Sequence, residues 1–263
     1  MDRRRLLTLL AAGTAATLLG AGEARADFPF DNGSSGGLIP PNLLPGTTLP
    51  PIAPRVAIGP GTISALPGDG NNMALTIDDG ASVETVGAFI EFARRSGIRM
   101  TFFVTAYYNS WMVHRDALRP LVDSGQIQLG NHTWDHPDLT RLSAGAIADQ
   151  IDRAKAFLWN TFGTDGTPFY RPPFGHHNGL VDRVAADSGY AVPTMWYGNL
   201  NDTMTVINED IILTAARQWF RAQSIVIGHA NRPTVTHVFD QLNDIIRERN
   251  LATVTLNDVL VLT

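Results

Sequence analysis

Cysteine is absent from the 263 residues. That excludes disulfides, thiolate metal sites, a cysteine nucleophile and a lipid-modified cysteine anchor. Lysine is nearly absent. Lys155 is the single lysine among 20 basic residues, in a helix-like stretch, so Schiff-base chemistry has one poor candidate. Positive charge is scarce at a formal net charge of −5, and the electrostatic footprint of a nucleic-acid-binding chain is missing. The uncharged run from Leu6 to Gly20 falls short of the roughly 20 residues a bilayer-spanning helix needs. What remains, at 44% hydrophobic and 17% charged residues, is enough globular chain for one good-sized core or two small ones.

The N-terminus reads as an address. Arg3, Arg4 and Arg5 precede that short uncharged run, and Ala24-Arg25-Ala26 forms a small-x-small cleavage pattern. Residues 1–26 are therefore expected to be a secretory signal peptide, and the consecutive arginines suggest twin-arginine export from a bacterium. Nine of the sixteen prolines then fall between Pro29 and Pro67. Proline fixes φ and removes ladder donors, so residues 27–69 are expected to be a linker. Val56-Ala57-Ile58 is one of its few segments able to lie against a folded domain.

From about residue 70 to 263 strands and helices alternate. Ala74 to Ile77 reads as a strand, and Ser82 caps a helix whose stripe of Val86, Phe89, Ile90 and Phe92 ends at Gly97. Further strands are expected at Arg99–Val104, Gln126–Leu129, Pro168–Tyr170, Ala191–Trp196, Ser224–Ile227 and Ala252–Leu256. Roughly seven βα units imply an α/β fold with a parallel sheet and right-handed crossovers, in a single domain. A barrel of seven or eight units suits the length, with an open doubly wound sheet as the alternative. No glycine-rich phosphate fingerprint follows the first strand, which removes dinucleotide and P-loop readings.

Polar clusters recur just after the expected strands. They are Asp78-Asp79, His132 with His136, Arg171, Asn199 to Asp202, and His229. In βα barrels that is the face where side chains from different strands converge. His132-x-x-x-His136 has a spacing of one helical turn, able to chelate one cation, with Pro137 limiting any helix. Two histidines plus one carboxylate with an open position is the donor set of a catalytic zinc site. Asp78 and Asp79 offer two carboxylates, one to ligate and one to act as base. The segment Arg171-Pro172-Pro173-Phe174-Gly175 stiffens a loop that aims an arginine. His176 and His177 read as groove wall or solvated residues, and His114 and His237 as surface positions.

T-I-D-D-G (Thr76 to Gly80), N-H-T-W-D-H-P (Asn131 to Pro137), R-P-P-F-G (Arg171 to Gly175) and I-G-H (Ile227 to His229) resemble, in order and spacing, the polysaccharide deacetylase family. This is carbohydrate esterase family four, which includes peptidoglycan and chitin deacetylases and acetylxylan esterases. The resemblance covers residues 70–263 and implies a distorted (β/α)7, TIM-like barrel with an open groove. It implies that Asp79, His132 and His136 bind a divalent metal, zinc first with cobalt or nickel as alternatives. It further implies that Asp78 is the general base, Arg171 its orienter, the Phe174 N–H an oxyanion donor and His229 the general acid. Phe174, Trp196 and Ile227 would touch substrate, Ile227 in place of a leucine at the acetyl-methyl pocket. The implied reaction is removal of acetyl groups from an N- or O-acetylated glycan, with no nucleic-acid partner, no stable membrane insertion and a monomeric chain.

Departures from the family pattern set a further expectation. Asn199 falls where an aspartate supports the catalytic histidine, with Asp202 as the alternative support, and Thr203 falls where a groove tryptophan stands. An amide stabilises imidazolium less than a carboxylate does, so Asn199 predicts a lowered His229 pKa and an acidic activity optimum. A glycan-binding barrel without turnover and a hydrolase of small cyclic amides are the competing readings.

Overall fold

The computed structural model describes residues 55–263. The expected signal peptide, and the linker as far as residue 54, lie outside the described residues. The described chain runs β1 (Val56–Ile58), β2 (Asn72–Asp79), α1 (Val83–Ser96), β3 (Met100–Val104), α2 (Ser110–Val113), α3 (Arg115–Asp123) and β4 (Ile127–Asn131). It continues through α4 (Ala144–Phe162), β5 (Phe169–Tyr170), α5 (Gly179–Asp187), β6 (Val192–Pro193), β7 (Gly198–Asn199), α6 (Glu209–Trp219) and β8 (Ile225–His229). The last elements are α7 (Phe239–Glu248), β9 (Ala252–Thr253), α8 (Leu256–Val259) and β10 (Leu260–Leu262).

The strands follow the order β6-β5-β4-β3-β2-β8-β7 with parallel pairing throughout, and β9 pairs with the start of β2. This is the expected α/β barrel of seven strands, curled and open between β6 and β7. Alternate side chains explain its two cores. Met73, Leu75 and Ile77 of β2 face the helical layer, where they meet Phe89, Phe102 and Phe239. Ala74 faces the barrel interior with Phe103, Phe169 and Ile225. A parallel sheet buried on both faces needs such near-continuous apolar strands. Helix ends follow local rules: Ser82 and Ser143 accept from Thr85 and Ala146 N–H groups at the starts of α1 and α4, and Gly97 and Gly163 close them in the left-handed conformation.

Two expected elements differ. The strand expected over residues 191–196 is interrupted, because Pro193 has no N–H and the next two carbonyls are taken by Arg171. The strand expected over 252–256 stops at Thr253, because Thr255 and Asp258 form a reciprocal cap that starts α8. The boundary expected at residue 70 also moves. Val56–Ile58 pairs with Leu260–Leu262, and Leu66 is buried. Between them Gly61 and Ile63 donate to Ala191 and Pro193, Met195 donates to Ile63 at 2.7 Å, and Leu66 donates to Gln223. The end of the proline-rich stretch is thus a strap along β6 and the start of β8, beside the open seam.

Candidate active site

The parallel register brings Asp78 of β2 level with His229 of β8, and Val104 of β3 level with Asn131 of β4. Asp78, His132, Arg171 and His229 therefore reach the same barrel end from four strand termini. In an ordinary strand Asp78 and Asp79 would point to opposite faces. Asp79 escapes that parity through a left-handed φ of 72°, which is uncommon for a residue with a Cβ. Both carboxylates then approach one imidazole: His132 Nε2 lies 3.6 Å from Asp78 Oδ2 and 3.4 Å from Asp79 Oδ1. Gly80 allows this turn, having φ +100°, and a Cβ there would sit 2.3 Å from the Trp111 ring. The Trp111 indole N–H, fully buried, donates to the Asp79 carbonyl at 3.2 Å.

The two histidines meet by a turn rather than a helix. Thr133 and His136 both have positive φ, at 72° and 66°, so a helix cannot run through them. The loop is held from outside. The Gln150 carboxamide of α4 accepts from the Trp134 and Asp135 N–H groups at 3.1 Å, and Asn131 accepts from the Thr133 N–H at 2.8 Å. Asp79 Oδ1 is also 3.4 Å from His136 Nε2. His132 Nδ1 sits 2.6 Å from the Arg171 carbonyl. A carbonyl only accepts, so Nδ1 carries a proton, and Nε2 donates to Asp79 while His132 is protonated and offers its lone pair to a cation once His132 is neutral.

Asp79, His132 and His136 can hold a cation, with ligand atoms all within 4.8 Å of one another. Tetrahedral zinc bonds of about 2.0–2.1 Å place neighbouring ligand atoms about 3.3 Å apart. Both imidazole-to-Asp79 separations, at 3.4 Å, fit that edge. The electrostatics favour the ionised carboxylate. Burial opposes charge on Asp79, but the hydrogen bond to His132 and the surrounding imidazoles hold its carboxyl far below the ordinary range. Burial pushes His136 down, helped by His132. Burial would push His132 down too, but the Asp78 and Asp79 carboxylates pull it up.

Arg171, buried completely, sits inside the barrel with its guanidinium 4.2 Å from the Phe103 ring centroid. Its Nη1 donates to Asp78 Oδ1 at 2.6 Å and Thr76 Oγ1 at 2.9 Å, and its Nε donates to the Thr194 carbonyl at 2.8 Å. Phe174 has φ 59°, exposes its side chain, and packs its ring 4.6 Å from that of His136. Its N–H has no protein acceptor among the described residues. Trp196, Asn199, Thr203 and Ile227 line the same cleft of about 330 Å³ with both aspartates, His132, His136, Phe174 and His229.

The support of His229 corrects the expectation drawn from Asn199. Asp202, not Asn199, lies 2.8 Å from His229 Nδ1, and its other oxygen accepts from the His229 N–H at 2.6 Å. Asn199 instead accepts from the Asn201 N–H, and Asn201 turns the chain with φ 58° so that Asp202 reaches inward. The pKa consequence reverses with it. Burial lowers imidazolium stability, yet the Asp202 carboxylate, joined by Asp78 and Asp79, outweighs it and raises His229 to about 9. His176, His177, His114 and His237 do not line the cleft. They pair with Asp138, Asp182, the Val83 carbonyl and Glu209. Sequence reasoning also missed Asn231, whose Nδ2 donates to Asp79 Oδ2 at 2.6 Å.

Similarity to known proteins follows the same residues. The polysaccharide deacetylase family model matches residues 66–193, which hold Asp78, Asp79, His132, His136, Arg171 and Phe174. A chitin deacetylase from Pestalotiopsis sp is 30% identical over 165 residues, covering 60% of this chain and 55% of that protein. A peptidoglycan-N-acetylglucosamine deacetylase from Listeria monocytogenes is 32% identical over 112 residues, covering 41% of this chain and 22% of that protein. The chain therefore spans about half or less of the length of these curated relatives. Two solved structures share the fold. The chitin deacetylase of the fungal pathogen Colletotrichum lindemuthianum superposes with a TM-score of 0.68 at 19% identity, over 77% of this chain and 92% of that one. A family 4 carbohydrate esterase pseudoenzyme from Bacillus anthracis gives 0.66 at 20% identity, over 78% and 72%. With those motifs at one barrel rim and the family model spanning residues 66–193, this part of the chain matches the polysaccharide deacetylase family.

Proposed function

We propose that this chain is an exported, divalent-metal-dependent hydrolase that removes acetyl groups from an N- or O-acetylated cell-wall glycan. The observation that carries the reading is one cleft holding a two-histidine, one-aspartate cluster, a second aspartate paired to a buried arginine, and a histidine–aspartate dyad. Asp79, His132 and His136 would hold the cation, and zinc suits two imidazoles with one carboxylate. Such an ion, when bound, polarises an acyl carbonyl and acidifies water.

The chain's own groups supply the proton traffic. Asp78, whose Oδ1 is pinned by Arg171, accepts the proton of the attacking water on its other oxygen. The Phe174 N–H donates to the oxygen on which negative charge develops, a contact whose loss typically costs about 10²–10³ in rate. As the carbon–nitrogen or carbon–oxygen bond breaks, His229 protonates the leaving amine or alkoxide, and acetate departs. Asp202 accepts from His229 Nδ1–H and stabilises the imidazolium, in which Nε2 carries the transferable proton. Arg3 to Arg5, Leu6 to Gly20 and Ala24 to Ala26 support the export part of the reading.

The test is free acetate, measured after incubating zinc-loaded protein with N-acetylated chito-oligomers, peptidoglycan fragments and acetylated xylan. Release from at least one, abolished by a chelator, is expected. No release from any, with saccharide binding retained, would favour a barrel that binds without turnover. The Asp202–His229 pair argues against that reading.

A pH profile tests the acid. His229 must be protonated to act, and with its pKa near 9 the basic limb of kcat is expected near pH 9. Removing the charge in Asp202→Asn takes away the largest upward influence, so that limb moves down toward the ordinary histidine value of about 6.5, and the maximal rate falls roughly 10²-fold or more. An unmoved basic limb would show that another group is the acid.

A further inference from the structure

We infer that Asn231 is a positioning residue for the metal centre, holding Asp79 so that Oδ1 faces the cation and Oδ2 is withheld from it. This rests on the reading of Asp79, His132 and His136 as metal ligands. Asn231 follows β8 two residues after His229, and its carboxamide is used at both ends. Its Oδ1 accepts from the Ala81 N–H at 3.1 Å, and because a backbone amide only donates, this contact fixes which end is oxygen. Its Nδ2 must then face Asp79 Oδ2, at 2.6 Å.

The two Asp79 oxygens thereby become different. Oδ1 lies 3.4 Å from each of two imidazole nitrogens, while Oδ2 carries a short donor contact that occupies it. Without that donor the carboxylate can rotate, bind through both oxygens or turn away. Two backbone bonds brace the same junction: Ala230 N–H donates to the Asp78 carbonyl and Ser82 N–H to the Ala230 carbonyl, each at 3.0 Å. The β8 turn that carries His229 is thus tied to the Asp79 carboxylate through one side chain.

Partners of metal ligands typically contribute about 10–100-fold in affinity. The test is zinc affinity by competition with a chromophoric chelator, for the full-length wild type, Asn231→Ala, Asn231→Leu and, as a control, His132→Ala. Leucine keeps the volume and lacks the donor. Wild type is expected to bind one zinc, His132→Ala to lose it, and both Asn231 variants to bind about 10–100-fold more weakly, with the metal-free melting temperature within about 2 °C of wild type. Affinity within threefold of wild type in both Asn231 variants, with binding lost in His132→Ala, overturns this inference and leaves the metal reading standing. So does restoration by leucine alone, which would mark a packing role. A wild type that binds no zinc, cobalt or nickel overturns the metal reading, and this inference with it.

Discussion

Replacing Asp78 by asparagine is expected to lower kcat for acetate release by about 10³-fold or more, with zinc stoichiometry unchanged. An amide oxygen cannot take the proton of an attacking water, and a positioned base is worth about 10²–10⁴ in rate. The metal cluster should survive, because Asp79, His132 and His136 are close without any contribution from Asp78. The substitution is not neutral for stability. The introduced amide oxygen can still accept from Arg171 Nη1, but a completely buried guanidinium loses its nearest counter-charge. A lowered but cooperative melting transition is therefore expected. Metal content, melting temperature and kcat measured on the same preparation check the prediction. A variant that is folded, zinc-loaded and more than a tenth as active as wild type would remove Asp78 from the role of base.

Arg171→Met is expected to have the largest effect on the fold. Arg171 is 0% exposed and Asp78 is 2% exposed, so truncation leaves a nearly buried carboxylate at the floor of the cleft with no arginine at hydrogen-bond distance. It also removes the donors from the Thr194 and Met195 carbonyls. Breaking one partner of a buried pair costs about 3–5 kcal/mol. For a domain of this size that is roughly 6–20 °C in melting temperature. Arg171→Lys should recover little, because one ammonium cannot reach Asp78, Thr76 and Thr194 in a planar fork. The double variant Asp78→Asn/Arg171→Met should be no less stable than Arg171→Met alone, since the stranded charge is gone. Thermal unfolding of wild type and these three variants decides it. A melting point within 2 °C of wild type for Arg171→Met would mean that the ion pair does not stabilise the fold.

The legible part of the fold followed from periodicity. Leu75 and Ile77 alternate with Ala74 and Thr76 because one set meets helices and the other meets the barrel interior, and composition carries that pattern unaided. Harder to read was the interruption after Val192–Pro193, since the hydrophobic run through Met195 and Trp196 looks like a longer strand. The demand that ends it, carbonyls required by a distant arginine, is not local. The strap from Gly61 to Leu66 was obscured for the same reason. Its hydrogen bonds go to Ala191, Pro193 and Gln223, and nothing within a proline-rich segment announces partners so far along the chain.

By itself the amino-acid sequence determined the chemistry available: two adjacent aspartates, a histidine pair, one loop arginine and a late histidine, each just past an apolar strand, with no thiol to compete. Residue types and strand ends are local properties, so they survive translation into a linear string. Only the tertiary structure decided which groups cooperate. A left-handed φ lets Asp79 share a face with Asp78. A turn at Asn201 makes Asp202 the partner of His229 and moves its pKa upward instead of downward. Asn231, which no motif marks, closes on Asp79 from the end of the neighbouring strand. Direction and proximity of a few ångströms depend on strand register and on single backbone angles, and these arise only when segments far apart in the chain are packed against each other.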